Sequence, residues 1–369
     1  MLKAYIMTDF FSHIRRLDLI LLGPAIILSV FGMISLWSSS SALGDYANLQ
    51  KQGIFFGVAL ISMLLVSLGD YRFLRNSSYF ILTLYFIGIL ALVGLLFFAP
   101  ETRGIRAWYK IGPISIDPIE YMKIVMLILM AKFFTFRHTE VYRLRHLALS
   151  GVYFAIPSAF IAIQPNLGPV IILGGVWLLM LLVAGIKIKH LFAILLLGFV
   201  IGIFVWSFAL HDYQKDRLLA FMKPELDPLG IGWSQQQAEL AIGNGGIWGK
   251  GFGNGSQTQY GFLSEPQTDF IFAAIAEEFG LVAIVFLLGV LLVFFWRLIH
   301  ISLRVEGNFA RLFIGGFAVL FAMEVFINIG MNLGFLPIIG LPLPFVSYGG
   351  SSLIFTYIGL GIVQSIKTH

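Results

Sequence analysis

The sequence predicts an all-α integral membrane protein, a ten-transmembrane-helix bundle with one large extracytoplasmic loop. Of its 369 residues, 59% are hydrophobic and only 12% are charged, and a soluble domain carries about twice that charged fraction. The mean hydropathy is +0.91. The apolar residues are gathered into ten runs, each near the ~20 residues that a helix needs to cross a bilayer.

These runs follow one another along the chain without an intervening soluble domain, so residues 1–369 are predicted to form a single membrane domain. The eighth run is long enough to tilt or to break near Gly280. The first run exceeds a signal-peptide core and no A-x-A site follows it, so we expect it to remain as an anchor. The predicted spans are residues 17–37, 53–68, 79–99, 118–136, 147–163, 169–185, 190–210, 269–299, 312–335 and 351–366.

The distribution of basic residues predicts the orientation of the chain. The net charge is +5. If both termini are cytoplasmic, the short outer loops hold only Lys51, Arg103, Arg106 and Lys110, while the inner loops hold many more basic residues. This asymmetry follows the positive-inside rule. The basic excess therefore orients the protein and needs no nucleic acid as a partner, and the long connection 211–268 lies outside.

Several familiar motifs are absent. The chain has no cysteine, which excludes thiolate chemistry. The glycine-rich run 243–256 does not fit a nucleotide-binding loop, because Lys250 is followed by Gly251. We interpret its glycines as a flexible loop with tight turns, whose backbone N–H groups are still able to approach a pyrophosphate. The scattered histidines predict no zinc site. No nucleotide cofactor is expected, so bond formation outside would need an activated substrate.

The segment 264–280 places three carboxylates at the opening of an apolar span, where burial of an ionised carboxylate is costly. For Asp269 two interpretations are evenly supported. Thr268 caps the helix while Asp269 complements its dipole, or the Asp269 carboxylate acts as a general base toward a hydroxyl. Glu277 and Glu278 lie about 12 Å further along the helix. For them, scaffolding of the bundle is as well supported as a cation or proton role.

A second acidic motif opens the fourth predicted span. Asp117-Pro118-Ile119-Glu120 has the pattern of an N-cap, a proline at the first helical position and a capping-box acid. Lys123 lies three residues beyond Glu120, on the same helix face, and predicts an intrahelical ion pair. The motif favours a structural role for both residues, with a secondary electrostatic role at the site.

Polar residues also recur every fourth position in the ninth predicted span, at Glu324, Asn328 and Asn332. Such a stripe avoids lipid, and it favours interhelical hydrogen bonding over the lining of a substrate groove. In the outer loop, basic side chains that include Arg217 and Lys250 flank the carboxylate and suit a diphosphate-bearing lipid.

Four ordered motifs give the chain its resemblance to a known family. They are RGIRAWYKIGPISIDPIEYMK at 103–123, QPNLGP at 164–169, the long stretch 212–280 with TDFIF, and GMNLGFLPIIGLPLPFVSYGGSS at 330–352. Together they resemble the SEDS family, the RodA/FtsW cell-wall polymerases of bacteria. Short termini and GSQTQ at 255–259 resemble the RodA elongation branch.

The resemblance implies an inverting peptidoglycan glycosyltransferase that polymerises lipid II during cell elongation. Asp269 would deprotonate the acceptor hydroxyl, which attacks the donor muramyl carbon and expels undecaprenyl pyrophosphate. Basic residues or a divalent cation (Mg or Mn) would stabilise the diphosphate; the metal ligands remain unknown. The expected substrate-binding residues are Arg217, Lys250, Glu120, Lys123, Arg106, Ser347 and Ser351, and the expected supporting residues are Glu277, Glu278, Glu324 and Asn328.

The same resemblance implies partners and a location. The partners would be a class B penicillin-binding protein and other elongation-complex membrane proteins. The chain would be a multi-pass protein of the bacterial inner (cytoplasmic) membrane with both termini cytoplasmic. Two alternatives stay open: a lipid II flippase, suggested by the intramembrane acids, and a non-catalytic scaffold of the elongation complex. The absence of a clear inverted repeat argues against a transporter.

Overall fold

The protein is a bundle of long helices, described by a computed structural model over residues 15–101, 105–112, 114–136, 144–210, 214–215, 219, 221–222 and 230–369. The helices are α1 (Leu19–Leu43), α2 (Ala47–Leu68), α3 (Arg72–Asn76), α4 (Ser78–Phe98), α5 (Pro118–Phe136), α6 (Leu144–Ile163), α7 (Leu167–Val183), α8 (Ile188–Phe204), α9 (Ile231–Gly245), α10 (Ser256–Gln259), α11 (Ile271–Arg304), α12 (Asn308–Asn332) and α13 (Gly350–Thr368). A π-helical turn, Val205–Ala209, continues α8.

The chain is a multi-pass membrane protein by the length and composition of its helices. In the described part, α1, α2, α4, α6, α8, α11 and α12 are long and apolar enough to cross a membrane. The shorter α7 is also apolar, and α5 and α13 have 19 residues each. All ten predicted spans overlap these helices. The all-α prediction missed one feature, an antiparallel hairpin of β1 (Tyr109–Ile111) and β2 (Ile114–Ile116).

Helix α12 lies at the centre of the bundle, packed against α5, α7 and α11. Phe309, Phe313, Phe317 and Phe321 recur at every fourth position and are fully buried. This spacing places them on one helix face. Neighbouring rings along the row lie 5.5–6.4 Å apart between centroids. Van der Waals packing of this row orients α12 and, with it, the polar residues further along the same helix.

Helix α8 is the opposite case, a peripheral helix. None of the residues between Ile188 and Phe204 is buried by the rest of the described protein. From Leu191 onward the helix is apolar on all its faces, which is the pattern of a helix surrounded by hydrocarbon. We therefore expect lipid, more than the other described helices, to cover the apolar side chains of α8.

Helix α11 is broken at Gly280, as the sequence predicted. Gly280 has φ 72° and ψ −170°, which interrupts the helical backbone. Residues 245–251 of the glycine-rich segment 243–256 lie beside the break. Leu281 N donates to Gly246 O at 2.9 Å and Val282 N donates to Ile247 O at 3.2 Å. Such left-handed backbone is essentially restricted to glycine.

The same segment also bonds to the part of α11 that precedes Gly280. Lys250 N donates to Glu277 O and Gly251 N to Glu278 O, both at 2.9 Å. A Cβ on Gly249 would lie 2.2 Å from Glu278 O, so this contact requires a bare backbone. The interpretation of these glycines as a flexible loop was therefore wrong, because the segment is hydrogen-bonded to α11. Nor is the connection 211–268 only a loop, since it contains α9 and α10.

Candidate functional site

Asp269 lies in the turn that directly precedes α11, with its side chain partly exposed. The N-cap of α11 is Phe270, without a side-chain capping bond. The Thr268 hydroxyl instead donates to the Glu265 carboxylate over 3.5 Å. The predicted Thr268 cap was therefore wrong. Asp269 therefore stands outside the first helical turn and is partly exposed.

The backbone around Asp269 is immobilised by groups from other elements. Gln267 O accepts from Tyr348 N at 2.8 Å, and Thr268 O accepts from the Ser347 hydroxyl at 2.6 Å. Asp269 O accepts from the Asn332 and Asn328 side-chain amides. Three consecutive carbonyls are thus held. The backbone that carries the Asp269 side chain is therefore fixed, and a fixed support is what a positioned polar group requires.

The polar stripe of α12 supplies two of these contacts. The Asn332 amide lies 2.9 Å from Asp269 O, and its Oδ1 accepts from Ala273 N, one of the donors left free in the first turn of α11. The Asn328 amide lies 3.1 Å from Asp269 O and 2.7 Å from Leu341 O. The predicted interhelical hydrogen bonding is present. Asn332 was not among the predicted site residues, although its four-residue spacing from Asn328 was the signal for it.

Glu120, Lys123 and Glu324 form a second cluster, inside the bundle. Lys123 Nζ lies 2.7 Å from Glu120 Oε2 and 2.5 Å from Glu324 Oε1. The predicted Glu120–Lys123 pair is present, and Glu324 joins it from α12. All three side chains are at least mostly buried. They line a cavity of about 10 Å³, which has room for about one water molecule.

The start of α5 is capped as predicted for Asp117 but not for Glu120. Asp117 Oδ1 accepts from Ile119 N at 2.8 Å. Asp117 N donates to the Ser351 hydroxyl, so Glu120 does not complete a capping box; it binds Lys123 instead. Burial, followed by the nearby Glu120 carboxylate, raises the pKa of Asp117 to about 7. Ser351 thereby joins the start of α13 to the start of α5.

Glu277 and Glu278 form a third cluster, and their side chains hold α10, which begins at the end of the glycine-rich segment. Glu277 accepts from Gln257 N at 2.8 Å and from Thr258 N at 3.0 Å, as well as from the Thr258 and Ser256 hydroxyls. Glu278 accepts from the Ser38 hydroxyl and from the Gln259 amide. These bonds satisfy both buried carboxylates. They favour the scaffolding interpretation of the pair over a cation or proton role.

The remaining predicted residues are dispersed. Ser347 adjoins Asp269 but is buried, and it accepts from Leu343 N. Lys250 is exposed beside Glu277. Arg106 is exposed and bonds to Leu96 O and, at 3.5 Å, to the Glu101 carboxylate. Arg217 lies outside the described residues. Among the residues that are described, no three His, Asp or Glu side chains come close enough to hold a metal ion.

Comparison with known proteins matches nearly the whole chain. A family model for the cell cycle proteins FtsW, RodA and SpoVE matches residues 17–369. The chain is 35% identical to peptidoglycan glycosyltransferase MrdB of Escherichia coli K12, over 96% of this chain and 94% of that protein. It is 32% identical to stage V sporulation protein E of Bacillus subtilis, over 95% and 97%.

Solved structures show the same similarity. A chain from a peptidoglycan synthase complex, described as coordinating polymerization and crosslinking, superposes with a TM-score of 0.81 at 30% identity, over 95% of this chain and 98% of that one. The rod shape determining protein RodA of Thermus thermophilus superposes with a TM-score of 0.70 at 28% identity, over 95% and 97%.

Proposed function

Because the chain belongs to the FtsW, RodA and SpoVE family of cell cycle proteins, the SEDS family, we propose that it is a peptidoglycan glycosyltransferase that polymerises lipid II. One observation carries the assignment of its catalytic residue. Asp269 is a partly exposed carboxylate at the start of α11, and the carbonyls of residues 267–269 are all held by side chains or backbone from other elements.

In the proposed reaction Asp269 is the general base. Its carboxylate removes the proton from the 4-hydroxyl of the acceptor N-acetylglucosamine, and the resulting oxygen attacks the anomeric carbon of the donor muramyl unit. The bond from that carbon to the diphosphate oxygen breaks with inversion, and undecaprenyl pyrophosphate leaves. A positioned base of this kind accelerates a reaction by about 10² to 10⁴-fold. The proton remains on Asp269 until solvent removes it.

The leaving diphosphate needs positive charge. We assign this role to the exposed side chains of Lys250 and Arg106 and to Arg217, which lies outside the described residues, because Arg and Lys bind phosphate oxygens strongly. A divalent cation, Mg or Mn, would arrive on the substrate, since Mg²⁺ is usually held by one or two carboxylates together with substrate phosphates. Glu120 and Lys123, with Glu324, would supply a fixed internal charge that supports the α5 and α12 walls of the site.

The proposal includes the topology and the setting. The seven apolar helices, together with α5, α7 and α13, would make ten spans with both termini in the cytoplasm, as the basic residues indicate. Asp269 and residues 211–268 then face outward in a bacterial inner membrane. A class B penicillin-binding protein is the proposed partner, in line with the synthase complex that the chain resembles. We assign the chain to cell elongation on its RodA-like features.

The flippase alternative is less well supported by the described contacts. It was motivated by the polar stripe and the intramembrane acids, but Glu324, Asn328 and Asn332 are all bonded to other protein groups. The cavity beside Glu324 holds about 10 Å³, about the size of one water. A lipid-linked disaccharide needs a far larger path.

The test is lipid II polymerisation by the purified protein, with and without a class B penicillin-binding protein. Asp269→Asn keeps the size and the backbone contacts of the site but removes the base, so glycan synthesis should fall by about 10²-fold or more. The control is Glu306→Gln, an exposed carboxylate between α11 and α12, which should polymerise as the unaltered protein does. Thermal unfolding of both variants verifies that they fold. Polymerisation by Asp269→Asn at the normal rate would remove the catalytic assignment.

A further inference from the structure

We propose that residues 247–252 of the glycine-rich segment form a membrane-interface anchor, which places Ile247, Trp248 and Phe252 among the phospholipids of the outer leaflet. The anchor is a surface for bulk lipid. Its apolar side chains are not among the residues assigned to the catalytic reaction, and only Lys250, assigned above to the leaving diphosphate, is shared. The assignment of the anchor needs neither Asp269 nor the identity of the substrate.

The depth of the anchor is determined by its backbone bonds. Leu281 N and Val282 N donate to the carbonyls of Gly246 and Ile247. Residues 247–252, the tip of the segment, therefore lie level with the break in α11. Beyond the break, α11 is apolar from Leu281 to Trp296 and continues to Arg304. The 24 residues from 281 to 304 rise about 36 Å, enough to cross a ~30 Å hydrocarbon core. The tip therefore lies at the outer end of a membrane span.

The side chains at the tip are unusually exposed for a segment held so firmly. Trp248 is 79% exposed and Ile247 is 62% exposed. Water contact with this much apolar surface is unfavourable by roughly 25 cal/mol per Å², whereas tryptophan is enriched at the boundary between membrane and water. Because the backbone is bonded on both sides, these side chains cannot gain cover by a shift of the backbone. Lipid at that level would cover them.

The tip is also continuous with the lipid-facing surface of the bundle. The Phe252 ring lies 5.3 Å from the Trp37 ring of α1 and 6.4 Å from the Phe279 ring. Phe31 joins Phe279 to Phe286, each at 5.9 Å between centroids. Phe286 is 50% exposed on the apolar face of α11. One aromatic row thus runs from the tip to the wall of the span, and hydrocarbon that covers the wall would reach the tip.

The charge at the tip fits the same occupant. Lys250 lies between Trp248 and Phe252 and is exposed. A lysine among aromatic residues at this level keeps its stem against apolar surface while its ammonium group reaches the phosphate layer. A protein partner is the competing occupant of such a patch, and the experiment separates the two.

The absence of cysteine from the chain allows one fluorophore to be placed at will. Trp248→Cys, and Ile247→Cys as a second variant, are labelled with a nitrobenzoxadiazole group in full-length protein in phosphatidylcholine and phosphatidylglycerol nanodiscs. Glu101→Cys, exposed in the outer loop after α4, is the matched control. We expect the label at either tip position to emit at shorter wavelength, to lose fluorescence to 5-doxyl phosphatidylcholine and to be shielded from iodide. The label at 101 should show the reverse.

Two results would overturn the proposal. Strong iodide quenching at 247 and 248, equal to that at 101 and without quenching by doxyl lipid, would leave the tip in water. Shielding from iodide that begins only when a class B penicillin-binding protein is added would make the patch a protein-docking surface. Neither readout depends on polymerisation, so the result stands apart from the assignment of Asp269.

Discussion

Replacement of Gly280 by alanine tests whether the break in α11 holds the glycine-rich segment in place. The added Cβ would lie 2.3 Å from Gly249 N and 2.5 Å from Ile247 O. Both are backbone atoms, so no side-chain rotation relieves the contact. The segment must move away, and the bonds from Leu281 N and Val282 N to the segment would lengthen.

The expected magnitude follows from two terms. The backbone of Gly280, at φ 72° and ψ −170°, lies in a region that costs a residue with a side chain about 1–3 kcal/mol. Overpacking against fixed atoms costs a further ~1–3 kcal/mol. The free energy of unfolding should therefore fall by about 2–6 kcal/mol, before the loss of any hydrogen bond is counted.

The assay is thermal unfolding in detergent, followed by the intrinsic tryptophan fluorescence, and the control is Gly289→Ala. Gly289 lies in the same helix, and a Cβ added there would meet no other atom within 4 Å, so alanine at this position should be neutral or stabilising by up to about 1 kcal/mol. Gly280→Ala should melt well below both the control and the unaltered protein. Equal melting temperatures for the two variants would refute the proposed role of the break.

Three further predictions concern the site and its supports. Asn332→Ala removes an amide bonded to Asp269 O, so kcat for polymerisation should fall about tenfold or more with little change in KM, because the base loses its fixed position. Glu324→Gln weakens the charged contact to buried Lys123 and should lower the free energy of unfolding by about 1.5–3 kcal/mol. Burial alone would raise the pKa of Asp18, but hydrogen bonds and charge from Arg297 and Lys367 lower it below 3.8 overall. The stability difference between the unaltered protein and Asp18→Asn should thus be constant above about pH 5 and shrink as pH falls below about 4, through the depressed folded pKa.

Each of these has a control and a contrary result. The control for Asn332→Ala is Asn244→Ala, which changes an exposed asparagine of α9 and should leave kcat unaltered. An equal loss of kcat in Asn332→Ala and Asn244→Ala would show that Asn332 does not position the base. The control for Glu324→Gln is Glu101→Gln, which breaks an exposed pair with Arg106. It should lower the free energy of unfolding by at most about 1 kcal/mol. A stability difference for Asp18→Asn that grows as pH falls would contradict a depressed pKa for Asp18 in the folded protein.

The apolar runs were sufficient to predict the long apolar helices, but not α3, α9 and α10. Hydrocarbon forces a spanning segment to satisfy its backbone internally, so a run of ~20 apolar residues has few alternatives to a helix. Local rules also predicted the Asp117 cap, the Glu120–Lys123 pair and the break at Gly280. The hairpin at 109–116 was missed, since strands of three residues carry too little pattern to be recognised.

Long-range contacts were beyond such rules. Residue spacing alone does not reveal that Asn332, more than sixty positions away, holds the carbonyl of Asp269, or that Glu324 approaches Lys123 across the bundle. The glycine-rich segment is the clearest case. Its composition is typical of a loose loop, and only its pairing with α11 shows that the glycines serve close backbone contact.

The sequence by itself determined the class of protein, the positions of its long apolar helices and the acidic residue at the head of α11, because these depend on neighbours within a few positions along the chain. The tertiary structure alone decided which groups hold that residue, which buried charges are paired and where the glycine-rich segment lies. Those outcomes depend on the packing of helices that are distant in sequence, and a polar group buried by that packing takes whichever partner the fold brings within hydrogen-bond distance.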